Sequence, residues 1–118
     1  MTVTPYLVMD LRFNFTGDPG ADTTSQFDAF TDRVLAALAD LERADPGLTD
    51  PDITASLAKQ EMSISMRVEA DTVPDARRIF AANVRAALHV ASSRTVDWPF
   101  ELEGEDLPTA QRVDLADA

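Results

Sequence analysis

Apolar and polar side chains alternate from Val3 to Phe15. Leu7, Met9, Leu11, Phe13 and Phe15 share one parity, and Tyr6, Val8, Asp10, Arg12 and Asn14 share the other. A period of two with one apolar side predicts a strand packed on one face, long enough to be central. Pro5, near its start, stands where a missing N–H does least harm. Thr16-Gly17-Asp18-Pro19-Gly20 then breaks the alternation with turn chemistry.

The period next changes to three and four. Phe27, Phe30, Val34, Leu38 and Leu41, with Leu35 beside them, define one stripe; Asp28, Asp32, Arg33, Asp40 and Arg43 occupy the other side. Thr23 or Thr24 can cap this helix, Gln26 completes a capping box with Thr23, and Asp45-Pro46-Gly47 stops it after Ala44. A second helix is expected from Thr72-Val73-Pro74-Asp75, which supplies a cap, a first-turn proline and a first-turn acid. Its stripe is Ala76, Phe80, Val84, Ala87, Leu88 and Ala91, with Ile79 at the border and an end near Ser92-Ser93.

Two alternating runs lie between the helices. Pairing Leu57 with Met62, Ala55 with Ile64 and Ile53 with Met66 puts both apolar sets on one face and leaves Lys59-Gln60 as the turn. Tight hairpin turns favour Asn-Gly, so a longer loop stays open. Val96, Trp98 and Phe100 suggest a last short strand, which Pro99 confines to a sheet edge. The Trp98-Pro99-Phe100 cluster reads as packing. Glu101–Ala118 holds six acids and one base with Gly104 and Pro108 as breakers. It is expected to be a flexible acidic tail beyond a single α+β domain over 1–100, with a weak helix at Thr109–Asp117 at most.

The order β-α-β-β-α-β, with one apolar stripe per helix, puts both helices on the same face of a four-stranded antiparallel sheet. Right-handed crossovers and the middle hairpin favour the ferredoxin-like sandwich, strand order 4-1-3-2. The helix-free face then displays Tyr6, Val8, Asp10, Arg12 and Asn14 from the first strand. The third strand adds Glu61, Ser63, Ser65, Arg67 and Glu69, and the second adds Thr54, Ser56 and Ala58.

Charge narrows the partners. The 118 residues carry a formal net charge of −11 with a single lysine, so no basic stripe can meet phosphates. Nucleic acid and anionic membranes are not expected partners, and the third strand lacks the aromatics that RNA-binding sheets of this topology use. The bias to Arg over Lys and Asp over Glu, with abundant Ala, suggests a GC-rich bacterial genome. Lack of cysteine excludes disulfides and thiolate metal sites. No apolar run approaches the ~20 residues of a membrane span, and Met1–Phe15 does not read as a signal peptide, so a cytoplasmic protein is expected.

Candidate chemistry is sparse. No phosphate-binding glycine loop, nucleophile elbow or paired histidines occur in the sequence. His89, the sole histidine, sits near a helix C-terminus, where the dipole favours it without any further role. Asn83 lies at the core-facing border of the second helix, where a buried amide needs partners. Arg77, on the opposite border, can snorkel. Asp45, Asp50, Asp52, Asp71 and Asp75 fall in loops at one sheet end and could offer oxygens to a hard cation. Their spacing matches no EF-hand, and Asp is ordinary in turns and helix starts; no metal and no cofactor are expected.

The reading that follows is a non-catalytic domain acting through protein–protein interaction, including self-association through the open sheet face at Tyr6, Val8, Ser63, Ser65 and Arg67. The alternative is a small-molecule-binding protein or minimal enzyme. Its pocket would lie between helices and sheet or at a subunit interface, using Asn83, Arg77, Arg12 and His89.

Overall fold

The computed structural model describes residues 2–15, 23–94, 100–102 and 108–113. The turn expected at Thr16–Gly20 and the run Thr95–Pro99 lie outside the described residues. The elements are β1 (Tyr6–Phe15), α1 (Thr23–Ala44), β2 (Leu48–Ser56), β3 (Glu61–Val68), α2 (Val73–Arg94), β4 (Phe100–Leu102) and β5 (Gln111–Val113). All strand pairings are antiparallel in the order β2-β3-β1-β4, which is the expected order from the other end, and β5 pairs with β1 as well. The protein is an α+β fold of one antiparallel sheet and two helices.

Periodicity decides which side chains meet. Leu7, Met9, Leu11 and Phe13 of β1 and Met62, Ile64, Met66 and Val68 of β3 are buried. With them, in one cluster, lie Phe27, Phe30, Val34 and Leu38 of α1 and Ala76, Phe80, Val84, Ala87 and Ala91 of α2. One parity of the sheet thus faces both helical stripes, and among the described residues the other parity is free of helices. Phe13 meets Phe27 and Phe30 edge-on, with ring centroids 6.4 and 6.0 Å apart, the geometry that ring quadrupoles favour. Leu35, placed beside the α1 stripe, is instead exposed, because its wheel angle carries it past the sheet.

Before β1, Val3 forms a lone bridge to Ala70, and the Pro5 carbonyl accepts the Val68 N–H at 3.2 Å. Proline therefore precedes the ladder where only its acceptor is needed. The cap of α2 forms as expected: Thr72 Oγ1 accepts the Asp75 N–H at 3.2 Å, and Asp75 pairs with Arg78 one turn on. Thr72→Ala is expected to cost about 1 kcal/mol, read as a melting temperature lower by roughly 4 °C. The box expected at Thr23 involves a side chain outside the described set.

Three local expectations change. In the β2–β3 hairpin, Ile53 faces Ile64 and Ala55 faces Met62, so the loop is Leu57-Ala58-Lys59-Gln60 rather than Lys59-Gln60 alone. Gln60 adopts φ 53° and its N–H bonds to the Leu57 carbonyl at 3.0 Å. Lys-Gln suits a two-residue turn poorly because type I′ needs positive φ at both positions and type II′ at the first; the longer loop has it at Gln60. The slip is two positions, so every side chain keeps its face.

β2 also begins five residues earlier than expected, at Leu48, which is fully buried opposite Val68. Asp50-Pro51 hides this from the periodicity: the register shifts between Thr49 and Asp52, and Asp50 takes φ 56°. This bulge on an edge strand, with a proline beside it, also discourages edge-to-edge pairing.

Finally, the stretch from Glu101 onward, expected to be a flexible tail, supplies the end of β4 and all of β5. Residues 103–107 and 114–118 lie outside the described set. Leu102 faces Phe13 and Gln111 faces Val8, so the edge chain spends nine residues where β1 spends five. Ala110, just before β5, is buried in the core.

Candidate functional site

The side of the sheet that no described helix covers carries a connected group of polar side chains. Opposed residues in an antiparallel pair point to the same face, so the register assembles rows across the strands. One row runs Thr49, Arg67, Tyr6; the next runs Asp52, Ser65, Val8, Gln111. Beyond them lie Thr54, Ser63, Asp10 and then Ser56, Glu61, Arg12.

At the Tyr6 end these groups interlock. Tyr6 Oη donates to Ser65 Oγ at 2.8 Å, and the Arg67 guanidinium carbon stands 5.5 Å from the centre of the Tyr6 ring. Arg67 Nε lies 3.5 Å from Asp50 Oδ2, while the Asp50 N–H donates to Glu42 Oε2 of α1 at 3.1 Å. The bulge in β2 is what turns Asp50 toward Arg67, since an extra residue re-aims the side chain next to it. Ser65 is only 9% exposed although no helix among the described residues covers this side; Tyr6, Val8 and Arg67, all half-buried, flank it in register. At the other end Ser63 donates to Asp10, and Arg12 pairs with Glu61 at 3.2 Å. That pair is largely exposed and worth at most about 1 kcal/mol. It orders the face more than it stabilises the fold.

The five residues expected on an interaction face, Tyr6, Val8, Ser63, Ser65 and Arg67, are thus brought onto one surface. Gln111 belongs to the same neighbourhood and escaped the sequence reading, as did the place of Asp50 on this face, since it was expected in an acidic loop. Asp50 sits in a bulge and Gln111 in a three-residue strand, neither of which produces a periodic signal.

The four residues considered for a ligand site are not brought together. Arg12 is on the helix-free side of β1, whereas Arg77, Asn83 and His89 are on α2. Successive steps of six residues on a helix are roughly 240° apart, so these three spread evenly around the axis. Asn83 Nδ2 donates to the Ile79 carbonyl in its own helix at 2.8 Å, which satisfies the half-buried amide. His89 is exposed, and its carbonyl accepts Ser92 Oγ at 3.1 Å. Arg77 is half-buried, and its Nε has no hydrogen-bond partner among the described residues.

The acidic loops separate as well. Asp50 turns to Arg67 and Asp75 to Arg78, while Asp45 accepts the Gly47 N–H at 2.9 Å. Asp45, Glu69 and Asp71 border one shallow depression, but no group of three or more metal-ligating side chains is gathered among the described residues. Among those residues, no helix is long and apolar enough to cross a membrane. Comparison with protein-family models, curated proteins and solved structures gave no match to this chain.

Proposed function

We propose that this protein is a small non-catalytic domain that acts by binding protein, its helix-free sheet face meeting the same face of a second copy on a ferredoxin-like framework. The observation that carries the reading is the Tyr6–Ser65–Arg67 group with Val8 beside it. It is a connected, partly dehydrated patch on the side of the sheet that no helix covers among the described residues. Tyr and Arg are the residues most enriched at the energetic centres of interfaces. Arg67 and Asp50 are already paired in the free protein, so covering them leaves no unpaired charge, the costly outcome on desolvation. A two-fold dimer uses one patch twice, and a single self-complementary face suffices.

Size and charge set the strength. Four strands ~4.8 Å apart and about eight residues of ~3.4 Å make a plate of roughly 500 Å² before side-chain relief. Specific interfaces bury about 800 Å² per partner, so the pairing is expected near the weak end, in roughly the micromolar range. Each copy carries −11, and two such copies repel at long range unless salt screens them. Light scattering across concentration should therefore show a monomer–dimer equilibrium that tightens as salt rises from about 10 to 150 mM. A monomer at ~1 mM protein in physiological salt, far above the expected dissociation constant, would remove the proposal.

A further inference from the structure

Asp50 has a left-handed backbone, φ 56°, inside the β2 bulge and directly before Pro51. Bulges whose first residue is left-handed are most often built with glycine, and a residue before proline favours extended backbone. A side chain is therefore kept here at some cost in backbone energy. Such strain persists only where the surroundings fix it, and it collects at elements that switch. Two contacts fix Asp50. From the helical layer, Glu42 in the last turn of α1 accepts the Asp50 N–H through Oε2 at 3.1 Å. From the sheet, Arg67 Nε lies 3.5 Å from Asp50 Oδ2. Arg67 in turn stands over the Tyr6 ring, and Tyr6 Oη donates to Ser65. Only Asp45-Pro46-Gly47 joins α1 to β2, so the end of the helix and the bulge stay close.

These contacts make one path from α1 to the open face, through Glu42, Asp50, Arg67, Tyr6 and Ser65. We propose that the Asp50 bulge couples the two layers, with Glu42 as a positioning residue that sets Arg67 against Tyr6. While Glu42 holds the Asp50 N–H, the bulge keeps its left-handed turn and the carboxylate stays beside Arg67. Once that contact is lost, Asp50 relaxes toward the extended backbone that Pro51 favours, and the Arg67 guanidinium loses its place. The Asp50 and Arg67 side chains are 72% and 40% exposed, and an exposed pair is worth little by itself. The path therefore tunes the face and does not hold the fold together. Its consequence for binding rests on the self-association proposed above. Whatever draws Glu42 away from the bulge loosens the pairing, and in a two-fold pair it does so in both copies.

The test compares Glu42→Ala, Glu42→Gln and Asp40→Ala in the full chain. Glu42→Ala removes the acceptor, and Glu42→Gln keeps an oxygen there without the charge. Asp40→Ala removes the same charge elsewhere on α1, where the acid pairs with Arg43. Alanine is the best helix former, so α1 is retained. In dilute protein, Glu42→Ala should shift the Arg67 Nε–H and Tyr6 ring resonances. It should also weaken the strong cross-peak between the N–H and Hα of Asp50 that marks a left-handed residue. Glu42→Gln should restore most of both, and Asp40→Ala should leave them as in the parent. Light scattering should show dimerisation about ten-fold weaker in Glu42→Ala. Loss of one negative charge by itself acts the other way, easing the repulsion between copies, as Asp40→Ala should show. Arg67 and Tyr6 resonances unchanged in Glu42→Ala would overturn the proposal, as would Glu42→Ala dimerising as tightly as Asp40→Ala. Shifted resonances in a chain that stays monomeric throughout would keep the coupling and reject the self-association instead.

Discussion

Replacing Phe30 by alanine is expected to destabilise the protein by about 3–5 kcal/mol, a large part of the ~5–15 kcal/mol that holds a domain of this size folded. The residue is 2% exposed and stacks edge-on against Phe13, so its loss removes both the transfer energy of a large side chain and a ring–ring contact. The cavity would lie where β1 meets α1, beside Phe27. Leu38 and Val34 on the same helix are rigidly placed by their own burial, and little can move in to fill the gap. Urea denaturation followed by far-ultraviolet circular dichroism measures this directly. A midpoint that moves with an unchanged slope is expected. A loss below about 1 kcal/mol would mean that α1 packs on the sheet less tightly than described.

The second large effect concerns the open face. Val8→Glu should abolish self-association while leaving the monomer folded. Val8 is half-buried, opposes Ser65 on one side and Gln111 on the other, and has no helix above it. A charge there can reach water in the free protein, so the stability change is expected within about 1 kcal/mol. In a two-fold dimer the same substitution occurs twice, against a partner bearing the same charge. If each costs about 1.4 kcal/mol, dimerisation weakens by roughly a hundred-fold. Sedimentation velocity at several concentrations reads the change. A Val8→Glu protein that dimerises like the parent would place the contact on another surface.

What the sequence revealed and what it hid follow from one rule. Faces depend on parity and wheel angle, and both are local. The pattern Leu7, Met9, Leu11, Phe13 therefore identified the buried side of β1, and the three- and four-residue steps identified both helical stripes. Register depends on turn geometry, which is only weakly local. The hairpin expectation was off by two positions because Gln60 takes a left-handed conformation that its residue type does not advertise. Bulges and very short strands leave no period at all. The reach of Asp50, expected in an acidic loop, to Arg67 and the place of Gln111 beside Val8 were for that reason invisible until the strands were paired. The ligand candidates failed for a reason the sequence already contained. Arg77, Asn83 and His89 stand six residues apart on one helix, and that spacing sends them in three directions.

The central claim is that the helix-free face meets its own copy, and the absence of any native cysteine makes it directly measurable. Thr54 lies at the rim of that face, opposite Ser63, and Ala86 is exposed on the far side, on α2. A spin label on Thr54→Cys, read by double electron–electron resonance, should give a distance between copies of about 20–30 Å, since facing sheets stack ~10 Å apart. A label on Ala86→Cys should give one beyond about 40 Å, with both helical layers between the two labels. Short distances from Ala86 together with long ones from Thr54 would show that the helices, and not the sheet, form the contact.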